Sequence, residues 1–322
     1  MKSKLTGANI IIALTILVSF DFSALGVEGG LGRPISGMQI TPYAGLVPPE
    51  PGLAVAVGQT YYEGSIGGGL SVPIAGLLVA NVDMKAAFTP ISLLYIWPTQ
   101  TKTWNFASVA AFPLAWLEVE ASTSLGRFSV RKKDSTFGLF DLAFTPIVAS
   151  HHFSQTDHLA FDFTFWAPTG EFKTGRLVNL SLNNWTFIPG VAYTKILPQE
   201  NIELSGIWDL EFYTENPDTH FQNGILSDLE VLAIKRFRNG FGIGFVESWI
   251  QQVTDDESAL TPGGFVGRAF GIGPIVTYST KLGKSHLDFN ARWIHDFDVS
   301  KRVEGGRVQL YREPEILNVR AK

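Results

Sequence analysis

The sequence contains no cysteine. A disulfide framework, a thiolate nucleophile and a thiolate metal centre are therefore all excluded. Charge is scarce as well: 17% of residues are Asp, Glu, Lys or Arg, against about 25% in soluble domains. The net charge of −5 and pI near 5.7 leave no basic surface of the kind nucleic acid requires. Long apolar runs are missing too. After residue 26 the best candidate, Pro73–Val82, falls well short of the roughly 20 residues a spanning helix needs. No Gly-x-Ser-x-Gly elbow and no glycine-rich phosphate loop before a helix is present, so neither enzyme chemistry nor a bound cofactor is expected.

What is present is abundant but dispersed apolarity, with 45% hydrophobic residues and a mean hydropathy of +0.14. In lipid only helices and closed barrels pair every backbone amide, so dispersed apolarity predicts a barrel. The N-terminus has the pattern of an export signal over residues 1–26. Lys2 and Lys4 precede an apolar stretch from Ile10 to Val18, and Ala24-Leu25-Gly26 offers small residues for cleavage. From residue 53 onward about twelve strand-like runs alternate long and short connections. Long ones are expected near 67–82, 121–136, 168–182, 214–224, 253–263 and 298–305, and short ones near 97–103, 151–157, 197–201, 239–240 and 281–285. Outer-membrane barrels sort their connections this way, with tight periplasmic turns and longer external loops.

Three runs carry a clear period of two. Leu159, Phe161, Phe163 and Phe165 alternate with His158, Ala160, Asp162, Thr164 and Trp166. Ile202, Leu204, Trp208, Leu210 and Phe212 alternate with Glu203, Ser205, Asp209 and Glu211, only Ile207 standing out of place. Leu287, Phe289, Ala291, Trp293 and Phe297 alternate with Asp288, Asn290, Arg292 and Asp296. A soluble sandwich would bury the apolar face, whereas a membrane barrel turns it to lipid and the polar face to the lumen. Strand lengths of 10 or more residues match the 9–11 a tilted membrane strand needs. Asn239-Gly240 closes a two-residue hairpin. Aromatics near strand ends (Tyr61-Tyr62, Tyr95, Trp97, Trp104, Phe106, Trp185, Phe187, Trp249 and Trp293) are candidates for interfacial girdles. Residues 27–52 are too rich in Gly and Pro to form a ladder and cannot face lipid. They are expected either in the lumen as a plug, with Met38, Ile40, Tyr43 and Leu46 as apolar contacts, or in the periplasm as a tail.

Several short motifs resemble one family. They include Glu28-Gly29-Gly30-Leu31-Gly32-Arg33-Pro34, Pro42-Tyr43-Ala44-Gly45, Ala167-Pro168-Thr169-Gly170-Glu171, Asn184-Trp185-Thr186-Phe187, Gln251-Gln252-Val253-Thr254-Asp255-Asp256 and Gly271-Ile272-Gly273-Pro274. Together they resemble the meta-pathway phenol-degradation family of transporter-like outer-membrane proteins, over nearly all of the chain beyond the leader. The resemblance implies a passive outer-membrane channel associated with uptake of aromatic compounds. One departure concerns the end of the chain. Outer-membrane barrels commonly finish on an aromatic, whereas this chain ends Tyr311-Arg312-Glu313-Pro314 and a polar tail. Either Tyr311 is the recognition aromatic or the last strand is irregular.

The reading is an all-β, antiparallel transmembrane barrel of about twelve strands over residues 53–322, in the outer membrane of a Gram-negative bacterium. The polar faces nominate a substrate path of Tyr43, Asp162, Thr164, Asp209, Glu211, Asp288, Asn290, Arg292 and Asp296. Asp83 is a further candidate lumen acid, with Lys85, Arg236 and Arg292 as counter-charges. His151, His152, Asp157 and His158 are read as solvated turn residues, since their spacing lacks a rigid metal site. Asp255-Asp256-Glu257 is read as a solvated external tip, with calcium as the lesser alternative. Expected partners are outer-membrane lipid and lipopolysaccharide, the assembly machinery, and a small hydrophobic or aromatic solute. A structural or surface-interaction barrel is the competing role.

Overall fold

The computed structural model describes residues 17–18, 32–125, 128–258, 266–282 and 285–317. Apart from Leu17 and Val18, the expected leader lies outside these. Besides a two-residue pairing of Leu17–Val18 with Gly45–Leu46, the described residues form thirteen strand segments and no helix. They are β1 (Gly52–Ile74), β2 (Leu77–Ile96), β3 (Trp104–Leu125), β4 (Phe128–Leu139), β5 (Leu142–His152), β6 (Asp157–Ala167), β7 (Thr186–Leu197), β8 (Ile202–Tyr213), β9 (Leu226–Arg236), β10 (Phe241–Gln252), β11 (Arg268–Leu282), β12 (Ser285–Ser300) and β13 (Glu304–Leu317). Successive strands pair antiparallel except β4 with β5, and β13 pairs with β1 to close the barrel. β4 and β5 share one position. β3 pairs β5 from Trp104↔His151 to Ala111↔Ala143, then β4 from Leu114↔Leu139 to Leu125↔Phe128. The wall is thus a closed barrel of twelve strands.

The period of two sets the facing as lipid demands. Phe161, Phe163, Leu204, Trp208, Phe212, Phe289, Trp293 and Phe297 are exposed on the outer wall. Their alternates Thr164, Glu203, Asp209, Glu211, Asn290, Arg292 and Asp296 are buried inside. Ile207 points inward with the polar set. Aromatics stack along the outer rims, as Trp185 does with Phe187 and Trp249 with Phe270. Tyr62 departs from the expected girdle: its neighbour Tyr61 faces out, while Tyr62 is buried in the lumen.

Three of the six expected long connections are not loops. Residues 67–82 belong to β1 and β2, which turn at Ala75-Gly76. Residues 121–136 continue β3 and β4 up to the two positions between them. The turn between β12 and β13 is only residues 301–303. The glycine-rich stretch after Ile66 reads as a breaker, yet cross-strand pairs carry the ladder past it. Outward residues switch there from Tyr61, Ala87 and Trp116 to the ion pairs Lys85–Glu63 (3.3 Å), Arg131–Glu120 (2.5 Å) and Lys133–Glu118 (2.8 Å). Charged outer faces cannot lie in hydrocarbon, so this row marks the external membrane boundary, and β1–β4 rise above it. Asp83 and Lys85 are therefore outer-wall residues, not lumen groups. The long connections expected near 168–182, 214–224 and 253–263 do fall between strands, which end at Ala167, Tyr213 and Gln252 and resume at Thr186, Leu226 and Arg268. Of the third, residues 259–265 lie outside the described residues.

The closing strand is irregular. β13 pairs with β1 as far as Leu317↔Leu53, but its register shifts between Arg312 and Glu315. Pro314 falls in that gap and cannot donate to a ladder. Tyr311 is buried inward, and the register shift beyond it is the irregular last strand that the chain's end suggested.

Candidate functional site

Residues 33–48 pass through the barrel interior rather than outside it. Ile35, Met38, Ile40, Leu46 and Val47 are at most 3% exposed. What seats this segment is chiefly polar. The Glu230 carboxylate accepts the backbone N–H groups of Gly37, Gln39 and Ile40 at 2.6, 3.1 and 2.8 Å. Arg292 Nη1 donates to the carbonyls of Gly37 and Ile40 at 3.0 and 2.7 Å. Gly37 has φ +74° and Ile294 packs where its Cβ would sit, so this turn requires glycine. Arg302 donates to the Pro34 carbonyl at 3.1 Å, and the Tyr43 N–H donates to Glu203 at 2.5 Å. Nearer the short-turn rim, Gly45 N–H donates to Thr194, while Ser150 and Asn105 donate to the carbonyls of Gly45 and Val47. Carboxylates and guanidiniums from β8, β9 and β12 thus read main-chain polarity, with three amides converging on Glu230 and two carbonyls on Arg292.

The upper anchor is Arg33. Its guanidinium pairs with Asp141 at 2.9 Å, both at most 1% exposed, and lies 4.9 Å from the Trp166 ring centroid. Asp141 occupies the break between β4 and β5 and also accepts N–H groups of Thr169, Gly170 and Leu182. One buried carboxylate therefore ties the segment, the broken strand and the 168–185 loop together. That loop folds inward: Leu177, Val178, Leu180 and Leu182 are buried, and Gly175 N–H reaches Ala75 O at the β1–β2 tip. Beneath it Val72, Ile74, Phe88, Phe140 and Trp166 form an apolar, partly aromatic lining. A lumen cavity by Ser36, Tyr62, Asp296 and Arg307 is only about 10 Å³, room for about one water.

The nominated path residues all lie inward but in separate groups. Asp162 and Asp209 share a level across Gly190, where a Cβ would stand 2.3 Å from Asp209 Oδ1 and 2.9 Å from Asp162 Oδ2. The glycine makes room for both carboxylates. Thr164 donates to Asp162 at 3.4 Å and bonds Thr145. Glu211 accepts from Tyr213, and Asp296 pairs with Arg307. Tyr43 sits under Arg236, 4.6 Å from the guanidinium carbon to its ring centroid. Asp288 and Asn290 are buried on the same inner wall. Arg33, Asp141, Glu203, Glu230 and Arg307 were not nominated, although Glu203 and Glu230 stand on the alternating polar faces that could have flagged them.

The two side clusters differ from expectation. His158 is 4% exposed and bonds the half-buried His152, so His158 is not a solvated turn residue. Asp256 is likewise buried, accepting from Gly224 N–H and the Gln252 amide. Burial pushes its carboxyl up to about 6, and those two bonds only partly offset the shift. Among the described residues no group of three or more acidic or histidine side chains is arranged to hold a metal.

Comparison with known proteins agrees with this architecture. An outer-membrane channel from Pseudomonas putida F1 superposes with a TM-score of 0.68 at 15% identity, covering 85% of this chain and 99% of that one. A FadL homologue from Pseudomonas aeruginosa gives a TM-score of 0.46 at 9% identity, over 94% and 98%. No curated protein matches the sequence. Residues 67–312 match the family described as "Putative MetA-pathway of phenol degradation". The chain is an outer-membrane β-barrel that belongs to this phenol-degradation family.

Proposed function

We propose that the protein is a channel for passive uptake of small hydrophobic or aromatic compounds, with residues 33–47 acting as a displaceable plug. The observation that carries this is the way the segment is seated. Its main chain is gripped by Glu230, Arg292, Glu203 and Arg302, contacts that water can replace when the segment leaves. An apolar solute finds matching chemistry in the lining of Phe88, Phe140, Trp166, Val178 and Leu180 under the external loop. Movement follows the gradient alone, and family membership supports an aromatic cargo.

Deleting residues 28–47 tests the plug. The shortened barrel should conduct in planar bilayers at several times the level of the full chain. Unchanged conductance removes the plug from the account.

The tight interior favours a second reading, a structural barrel that passes nothing. Liposome swelling separates the two. Phenol or toluene analogues entering faster than sugars of similar mass supports a channel, and no permeation by any small solute supports the structural role.

A further inference from the structure

At the periplasmic rim His152 and His158 face each other as cross-strand partners on β5 and β6. Their Nδ1 atoms are 2.8 Å apart. The surrounding bonds assign the protons. Asn105 Nδ2 donates to the Val47 carbonyl at 2.9 Å and lies 2.7 Å from His152 Nε2, which must accept. His152 therefore carries its proton on Nδ1 and donates it to His158 Nδ1. The proton of His158 sits on Nε2, which is buried and has no partner among the described residues. His158 is thus already the tautomer that offers an Nδ1 lone pair to a cation.

We propose that His152 and His158 form a chelating pair for a late first-row divalent cation, Cu²⁺ or Ni²⁺ in preference to Zn²⁺. Two imidazole nitrogens each about 2.0 Å from a metal stand about 2.8 Å apart when they are cis at a right angle, as in tetragonal copper or nickel. At a tetrahedral zinc they stand about 3.3 Å apart. The present separation is that of the N–H···N hydrogen bond, so exchanging its proton for a cation moves the two rings least in the first arrangement. The cation takes the place of the shared proton, which leaves His152 Nδ1 for His152 Nε2, so charge and proton balance without any other reactant. Other nearby groups are committed elsewhere. His151 packs outward against Trp104 and Phe153, and Asp157 is held by Lys195, Ser154 and Thr156. Water completes the coordination through His152, which is only half-buried. The new Nε2–H of His152 faces Asn105, whose amide must turn over to accept it. Turning it releases the Val47 carbonyl at the lower end of the threaded segment.

The test uses full-length mature protein in detergent, purified without a polyhistidine tag, titrated with CuCl₂, NiCl₂ and ZnCl₂ by calorimetry. Copper electron paramagnetic resonance counts the bound nitrogens. The expected result is one Cu²⁺ per chain with two nitrogen ligands, and nickel bound at least as tightly as zinc. His152→Asn and His158→Asn should each weaken copper binding at least tenfold, whereas His151→Asn should not. Asn105→Asp supplies the acceptor without the amide turn and should tighten binding about tenfold, a gain that misfolding cannot imitate. No binding to the unmodified chain overturns the proposal. Binding that survives His152→Asn and His158→Asn, or an Asn105→Asp variant no tighter than the unmodified chain, overturns it equally.

Discussion

The two halves of the barrel wall are built on opposite principles inside. Along β1–β3 the inward positions are mostly apolar, among them Ala54, Ala56, Tyr62, Ile66, Val82, Met84, Ala86, Phe88, Leu117, Val119 and Ala121, with Thr60, Ser92 and Asn105 also buried, and none of the described buried residues of these strands is charged. Along β8–β13 the inward positions include Glu203, Asp209, Glu211, Asp228, Glu230, Asp288, Arg292, Asp296 and Arg307. The first face packs as a permanent core, because small and aliphatic side chains interdigitate with no buried charge and few polar groups to satisfy. The second face must find partners for every charge, and it finds many of them in the main chain of residues 34–43. Outside, β1–β4 carry a row of exposed ion pairs above the membrane boundary. A barrel with one dry wall and one charged wall can hold a threaded segment of chain without depending on it for closure.

Substitutions on each wall should therefore fail differently. The largest effect is expected at the junction of the two: Asp141→Ala strands the buried Arg33 and should cost about 3–5 kcal/mol, read as a lower temperature of heat-induced unfolding on gels. On the apolar wall, Leu117→Ala should cost about 2–4 kcal/mol by leaving a cavity, yet leave conductance unchanged. Glu230→Gln should do the reverse. It weakens a carboxylate that accepts three amides, so barrel stability should hold while the Gly37, Gln39 and Ile40 amides exchange at least tenfold faster. If both variants lower stability alike, the two-wall contrast is wrong.

A smaller effect should follow pH at the external mouth. The Asp256 carboxyl is raised from 3.8 to about 6 in the folded chain, so folding favours its protonated form. Its contribution is fully present below about pH 4 and is lost as pH rises through 6. Protection of the Gln222 and Glu257 amides, which pair across this loop, taken relative to their intrinsic pH-dependent exchange, should fall between pH 5 and 7. Asp256→Asn should abolish that dependence. The smallest change is expected for Arg131→Ala on the exposed outer wall, below about 1 kcal/mol.

Much of the wall was legible because lipid imposes one rule on every strand. Phe161, Trp208 and Trp293 had to alternate with polar residues, and so the facing of β6, β8 and β12 follows from spacing alone. Above the membrane that rule ends. Glu63, Lys85, Glu118 and Lys133 hold a ladder by cross-strand charge, a pairing that local composition around Gly67–Gly69 conceals. The interior was legible as a polar face but not as a set of contacts. Arg33 meets Asp141 and Gly37 meets Glu230 across separations of more than 100 residues, and nothing in the local pattern of 27–52 states which wall would receive it. Tyr62 turned inward for a similar reason: adjacent aromatics on a strand face opposite sides, and only one of a pair can join the girdle.

The placement of the threaded segment is open to direct measurement because the native chain has no cysteine of its own. A Cβ on Gly271 would stand 2.9 Å from Ser36 Cβ, closer than the roughly 3.5–4.5 Å of a disulfide. With a shift of about 1 Å in the threaded segment, Ser36→Cys and Gly271→Cys should oxidise to a crosslink in intact outer membranes. The crosslinked barrel should stay closed in bilayers and begin to open once dithiothreitol is added. Absence of the crosslink in a correctly folded barrel, or equal conductance before and after reduction, would contradict a lumen occupied by residues 33–47.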